Sequence, residues 1–272
     1  ICGFQIELSL PPTIFYSNCI VQWGINPNQK YGPKAPAWRL YEQVLDKAER
    51  PRIIVVDPEG IEMTRHADYW LQVRPGTDLS VMISWINVIL AEGLYDEKFL
   101  KNWTNAPFLI NSDTKKLLRA DDLSTGGDHS NFIAWDTVKS EPIEWISDEC
   151  RFEREGIETD LFGNGYEITI ADGSKIKAKT AMMEVWDRIR ENTPEVASRV
   201  SGIPARKIRE AAQCYATNTP GVIVWGIGGG DQVGFNATGC AIAKTLLRAI
   251  TGNVDVLGGE YVGEPVPVMA NG

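Results

Sequence analysis

The five residues from Cys19 to Trp23 form a largely apolar run that stops abruptly at Gly24-Ile25-Asn26-Pro27. A short apolar run bounded by turn residues reads as a buried strand. A helical pattern follows over roughly residues 36–49, with Leu40, Val44, Leu45 and Ala48 at three- and four-residue spacings. Ile53-Ile54-Val55-Val56 then gives a second buried strand, closed by Asp57-Pro58. Strand, crossover and strand fit within about forty residues, which predicts a right-handed parallel βαβ unit. Residues 70–73 make a third short strand ending in Arg74-Pro75-Gly76-Thr77-Asp78. Pro-Gly forces a turn there, and Thr77 or Asp78 is placed to cap a helix over about 79–92 that buries Val81, Met82, Trp85, Ile86 and Ile89.

The last third repeats the theme. Helical patterns cover 181–191 and 205–217, and Pro220-Gly221 introduces the apolar strand Val222–Trp225. Gly226-Ile227-Gly228-Gly229-Gly230-Asp231-Gln232 comes next, then a small-residue helix from about Asn236 to Ile250. Strand, glycine-rich turn and helix together make a phosphate cradle. Glycines let the backbone approach, and the N–H groups at the helix start attract an anion. Between the two patterned regions, residues 166–170 and 175–179 alternate in polarity around Asp172-Gly173, a hairpin signal. The expected fold is therefore α/β: two Rossmann-like mononucleotide-binding units with mainly parallel sheets, and an irregular insertion containing a β-hairpin. The expected boundaries are 1–103, 104–184 and 185–272.

Composition narrows the function. With 272 residues, 43% hydrophobic and 23% charged, the chain is long and apolar enough to bury a sizeable core. Its net charge of −9 argues against a general nucleic-acid binder, so a bound phosphate must be held by backbone N–H groups and a few chosen cations. No apolar run approaches the roughly 20 residues of a membrane span. The five cysteines form no CxxC and no metal-ligand spacing. Cys19 and Cys240 read as buried packing. The start, Ile1-Cys2-Gly3-Phe4, has no initiator Met or signal pattern, and the end is a Pro-rich coil, so an internal segment of a longer protein is expected. The compartment, cytoplasmic or periplasmic, is left open.

Candidate chemistry concentrates where strands end. Asp57 follows the second strand, where open α/β sheets bind ligands and an Asp can accept from ribose hydroxyls. Gly24 permits a tight turn, and Asn26 can form an Asx-type turn that exposes N–H groups to an anion. These features fit ligand contacts and plain turns alike, and Asp78 reads equally as a helix cap. His66 and His129 lack any accompanying nucleophile pattern and read as solvated histidines.

Three blocks in order, IVQWGINP, IVVDPEGIEMTRHADYWLQVRPGTD and INVILAEGLYDEKFLKNW, resemble the molybdopterin oxidoreductases of the dimethyl-sulfoxide-reductase class. VSGIPARKIREAA, VIVWGIG and LLRAITGNVDVLGGEY resemble the same family's second cofactor-binding domain. Glu59-Gly60-Ile61-Glu62 departs from the usual Arg and Thr, and Val254-Asp255-Val256-Leu257 replaces a common Ile-Gly-Arg-Pro. The resemblance implies two molybdopterin guanine dinucleotides gripping one Mo or W atom, with oxygen-atom or electron transfer at the metal. It implies phosphate contacts from Gly24 and Asn26, a ribose contact from Asp57, and guanine contacts from Gly76 and Asp78. Gly226, Gly228, Gln232, Gly252 and Asn253 are its candidates in the second unit. Cys2 is its candidate metal ligand, although it precedes Gly24 by fewer residues than the family's usual spacing. An iron–sulfur cluster is expected only upstream of this segment. A small-molecule substrate and an iron–sulfur electron-transfer subunit are the implied partners. A non-redox, acetylene-hydratase-like enzyme, a structural electron-transfer subunit that has lost the pterin, and a generic nucleotide-binding module are the alternatives.

Overall fold

A computed structural model of the chain describes residues 14–26, 36–225 and 236–260. They fall into two compact units: one formed by the chain up to Tyr95 together with the chain from Glu191 onward, the other by Asp96–Arg190. The change-overs, at 95/96 and 190/191, lie eight residues before and six after the junctions expected at 103/104 and 184/185.

The first unit is built on a four-stranded sheet in the order β10-β1-β2-β3, parallel throughout. Its strands are β1 (Cys19–Trp23), β2 (Arg52–Val56), β3 (Tyr69–Leu71) and β10 (Gly221–Trp225). β1, at the centre, is wholly buried. Its side chains are apolar on both faces except for Gln22, and both of its edges accept a strand. That is how the two stretches expected to bind cofactor come to share one sheet. β10 pairs with β1 from Cys19↔Gly221 to Trp23↔Trp225, while β2 pairs on the other edge from Cys19↔Arg52 to Trp23↔Val56.

Helix α1 (Pro36–Leu45) follows β1 and lies on one face, where Tyr41 and Val44 pack with Ile20, Ile53, Val55, Val222 and Val224. It ends four residues earlier than its periodicity suggested, because Lys47 N–H turns back to Val44 O and tightens the last turn. A 3-10 turn, Glu62–His66, buries Met63 in the same cluster. The opposite face carries α2 (Asp78–Ala91), the central helix of the unit. α2 buries residues on nearly every side because α6 (Pro194–Ser201), α7 (Ala205–Thr217) and α8 (Ala237–Ile250) all pack against it. Trp23, Trp85 and Tyr215 form a ring stack across this layer, with centroids 5.4 and 5.9 Å apart. α8 comes close to the start of α2 through Gly239, where an added Cβ would lie 3.0 Å from Leu79. Helix α6 was missed in the sequence. Pro194 opens it, and Gly202, with φ +82°, closes it in a left-handed conformation that only glycine adopts without strain.

In the second unit the expected hairpin is present as β8 (Asn164–Thr169) and β9 (Lys175–Thr180), extended by β4 (Leu109–Asn111) in the order β4-β9-β8. A second antiparallel sheet of β5 (Phe132–Asp136), β6 (Glu141–Ile146) and β7 (Arg151–Phe152) was not anticipated. It is held by Phe108 stacked on Phe132 at 4.8 Å and by Arg154, which donates to the buried Asp136 carboxylate at 2.7 Å. Helices α3 (Glu97–Trp103), α4 (Ala120–Leu123) and α5 (Ala181–Ile189) complete the unit. At the start of α5, Lys179 bridges Glu184 and Asp187 at 2.6 and 2.7 Å, and the Lys179 bond, helped by Arg188 and Lys115 and opposed by burial, draws the Glu184 carboxyl down to about 2.

Candidate functional site

After β1 the chain crosses on the α1 face towards β2, whereas β10, on the other edge of β1, is followed by α8 on the α2 face. The direction of winding reverses between β1 and β10. A crevice at the carboxyl ends of the strands, where winding reverses, is where open α/β sheets take ligands. Trp23 and Trp225 are the paired last residues of the two strands, so the Gly24 turn and the glycine-rich segment both depart from this point.

Each first-unit candidate sits at this edge. Gly24 takes φ +60°, and its N–H donates to Val56 O at 2.9 Å. Its contribution is therefore the sharp exit of the chain. Asn26 follows two residues on, half-buried. Asp57, the first residue past β2, accepts from the Glu59 N–H at 2.9 Å and closes an Asx turn. Burial pushes its carboxyl above the usual range, the neighbouring Glu59 and Asp78 charges push the same way, and the Glu59 N–H opposes them. Asp57 and Asp78 are thus close enough to feel each other's charge.

Asp78 is buried at the first residue of α2, and its Oδ1 accepts from the Trp23 indole Nε1 at 2.8 Å. Thr77 holds the N-cap position, but its hydroxyl bonds Arg74 O at 2.6 Å instead of capping the helix. Arg74 to Thr77 form a tight turn closed by Thr77 N–H to Arg74 O at 3.1 Å, with Gly76 at φ +81°. A Cβ on Gly76 would have no neighbour within 4 Å, so the turn presents bare backbone to open space. The turn is fixed from behind: Arg74 donates its N–H to Ser201 O and its guanidinium to Val200 O at the end of α6.

Three supporting residues were missed in the sequence. Trp70 donates to Asp57 O at 3.0 Å and Gln72 to Pro58 O at 3.0 Å, latching the Asp57 turn to the end of β3. Trp23 ties β1 to Asp78. Their signal was available in part: three polar-tipped side chains, each at or just past a strand end, beside the Asp57 and Asp78 motifs. Gln22 is more unusual. It is fully buried on β1, its neighbours across the sheet are Val55 and Val224, and among the described residues neither side-chain amide atom has a hydrogen-bond partner.

Gly252 and Asn253 are not brought to this edge. Asn253 is fully buried at the amino end of β10, where Oδ1 accepts from Gly221 N–H and Nδ2 donates to Thr251 Oγ1, both at 2.8 Å. Strands of five residues separate the two edges by ~13 Å at ~3.3 Å per step. Cys2, Gly226, Gly228 and Gln232 lie outside the described residues. Among the described residues no group of three or more His, Cys, Asp or Glu side chains is arranged to hold a metal ion, and no helix is long and apolar enough to cross a membrane. His66 is exposed, and His129, also exposed, pairs with Asp121 at 2.9 Å.

Comparison with known proteins meets this geometry directly. The family model for molybdopterin oxidoreductase matches residues 11–246, taking in β1, the Asp57 and Asp78 turns and β10. The chain belongs to the molybdopterin oxidoreductase family. The alpha subunit of perchlorate reductase from Dechloromonas aromatica (strain RCB) is 31% identical over 299 residues, covering 100% of this chain and 31% of the relative. Dopamine dehydroxylase from Eggerthella lenta is 28% identical over 343 residues, covering 97% of the chain and 33% of the relative. This molybdopterin-family chain therefore spans about a third of the length of these relatives. Acetylene hydratase from Pelobacter acetylenicus shares the fold, with a TM-score of 0.56 and 21% identity over 94% of the chain and 26% of the hydratase.

The family implies a pterin cofactor and molybdenum, and the crevice presents polar groups of the kind such a cofactor bonds. Two close carboxylates repel phosphate but accept hydrogen bonds from sugar hydroxyls and from guanine N–H groups. Bare backbone at Gly76 suits close approach, and the unsatisfied Gln22 amide near the end of β1 is a polar group without a protein partner among the described residues.

Proposed function

We propose that this chain is the cofactor-holding part of a molybdenum- or tungsten-dependent bis-pterin oxidoreductase, with molybdopterin guanine dinucleotide seated at the carboxyl edge of the parallel sheet. The observation that carries this reading is the convergence of Gly24, Asn26, Asp57, Gly76 and Asp78 on the crevice beside β1 and β10. Asp57, already turned outward by its Asx turn, accepts from the ribose. Asp78, oriented by the Trp23 indole, accepts from guanine N–H groups, and the Gly76 turn lies against the base. The N–H groups beyond Gly24 hold phosphate, since Gly24's own is engaged. The segment leaving Trp225, with Gly226, Gly228 and Gln232, serves the second dinucleotide. Asn253 contributes by fixing the start of β10, from which that segment departs.

The metal–dithiolene, when bound, supplies the oxygen-atom or electron chemistry, and the protein supplies binding and orientation. This chain holds the nucleotide ends and so sets where the pterins lie. Substrate binding, an iron–sulfur electron-transfer partner and the metal's protein ligand, for which Cys2 is the candidate, belong to the same proposal for the whole protein.

The test is metal and pterin content of the intact protein, by elemental mass spectrometry and by fluorescence of the oxidised pterin. About one Mo or W and two guanine-bearing pterins per chain are expected, and Asp57→Ala should lower the guanine content without unfolding the protein. No metal and no pterin, from a host able to make the cofactor, would overturn the reading in favour of a structural electron-transfer subunit.

A further inference from the structure

The amino edge of the same sheet, away from the candidate site, carries a pair of thiols. Cys19, the first residue of β1, is fully buried, and Cys214, also largely buried, is near the end of α7, the helix that packs on β1. Each thiol shifts the ionisation of the other, as near neighbours do. Cys214 also lines a surface pocket of about 450 Å³ with Arg52, Asp68, Gln213 and Asn218, and Asn218 Nδ2 approaches its sulfur at 3.8 Å. One thiol therefore meets solvent through an opening, and the other is reached only through the first.

We propose that Cys214 and Cys19 form an oxidant-sensitive dithiol, in which Cys214 is the peroxide-reactive thiol and Cys19 the one that resolves it to a disulfide. The Cys214 thiolate attacks one oxygen of a hydroperoxide, the O–O bond breaks, and the sulfur becomes a sulfenic acid while hydroxide or alkoxide leaves. The Cys19 sulfur then attacks the Cys214 sulfur. An S–S bond forms, the S–OH bond breaks, and the hydroxyl leaves with the Cys19 proton as water. Two electrons pass from the thiol pair to the peroxide.

Position assigns the roles in that order: Cys214 borders the pocket, and Cys19 is fully buried behind it. The Cys19 S–H holds the Cys214 thiol below its ordinary value, with Arg52 acting in the same direction and burial and Asp68 against it. Cys19, with Cys214 as its near neighbour and no solvent contact, is pushed well above the ordinary value. A thiol that borders a polar pocket and has a cation nearby meets peroxide first, whereas a fully buried thiol is reached only after it. Both thiols lie where α7 packs on the start of β1, beside the Gly221 backbone, around which Tyr215 and the Cys19 Cβ both gather.

The experiment treats the intact, fully reduced protein with stoichiometric hydrogen peroxide, alkylates the remaining thiols, and maps peptides without reduction. A Cys19–Cys214 linked pair that disappears on addition of dithiothreitol is expected, with the buried Cys240 still reduced. In Cys19→Ser, Cys214 should be trapped as a sulfenic acid by dimedone at least tenfold more than in the wild type. Finding Cys214 reduced while the exposed Cys150 is oxidised would overturn the proposal. Equal dimedone labelling of Cys214 with and without Cys19 would overturn the resolving role. The wild-type map stands even if a serine variant does not fold.

Discussion

Replacing Asn253 by alanine separates a residue that supports the sheet from one that touches cofactor. Asn253 Oδ1 is the acceptor for the Gly221 N–H at the head of β10, and that N–H has no route to water. Leaving it unsatisfied costs about 1–3 kcal/mol. The vacated side-chain volume adds about 1 kcal/mol. Thr251 loses a donor to its oxygen but keeps its own bond to Leu247 O at 2.8 Å, so its share is small. The sum is about 2–4 kcal/mol, local to β10. Each ~1.4 kcal/mol is tenfold in an equilibrium constant, so exchange of the β10 amides should accelerate by roughly 30- to 700-fold. Hydrogen exchange read by mass spectrometry on peptides covering 219–225, in the intact protein, measures this without requiring global two-state unfolding. Pterin content per folded molecule should hold near the wild-type value. Unchanged β10 exchange together with loss of pterin would refute the reasoning and return Asn253 to the cofactor site.

Other perturbations test the carboxyl edge and the second unit. Gly76→Ala should cost about 1–2 kcal/mol from the positive φ. Gly76→Val has no protein neighbour to strike, so a further stepwise loss of bound guanine from Ala to Val, at equal stability without cofactor, would place the ligand in that open space. Asp57→Asn should stabilise the protein at neutral pH while weakening guanine retention. The sign follows from the raised folded value: stability in the wild type falls as pH rises from the unfolded carboxyl value through the folded one, and stays lower above it. A thermal-melt series from pH 3 to 7 that runs parallel for the two proteins would count against it. Glu184 has the opposite sign. Its folded value of about 2 lies below the unfolded one, so the Lys179–Glu184 bond stabilises fully above about pH 4.5 and is lost as pH falls towards 2. Glu184→Gln should flatten that acid limb and lower stability at neutral pH, read by circular dichroism against pH.

Much of the α/β core was legible because its strands are continuous apolar runs. β1 has its expected bounds, β2 and β10 differ by one residue, and α7 runs over 205–217 as expected. The Asp57 motif pointed to a sheet edge because it follows β2 directly, whereas Asp78 was marked by the Pro-Gly turn that follows β3 and opens the next helix. What the sequence concealed depends on distance along the chain. Nothing in Gly252-Asn253 says that the amide will satisfy a strand 32 residues upstream, and a Gly-Asn turn reads equally well as a ligand loop. Cys19 and Cys214 carry no shared motif, and their approach follows only from α7 packing on β1. The sheet β5-β6-β7 escaped notice because its strands are half-exposed and mix charges with aromatic residues, so neither a buried run nor a clean alternation marks them.

The pairing of β10 with β1 also sets an order of events on the ribosome. Asn18 Nδ2 reaches Thr219 O across 201 residues, and the whole of Asp96–Arg190 is synthesised between the two strands. Until residues 221–225 emerge, β1 keeps one edge with unpaired N–H and C=O groups, the kind of edge that recruits other chains. At about 5–20 residues per second the wait is of the order of ten seconds or more. For that interval the crevice between β1 and β10 does not exist. A nascent chain thus has no completed sheet edge there, and a ligand that needs both strands can bind only after residues 221–225 have paired.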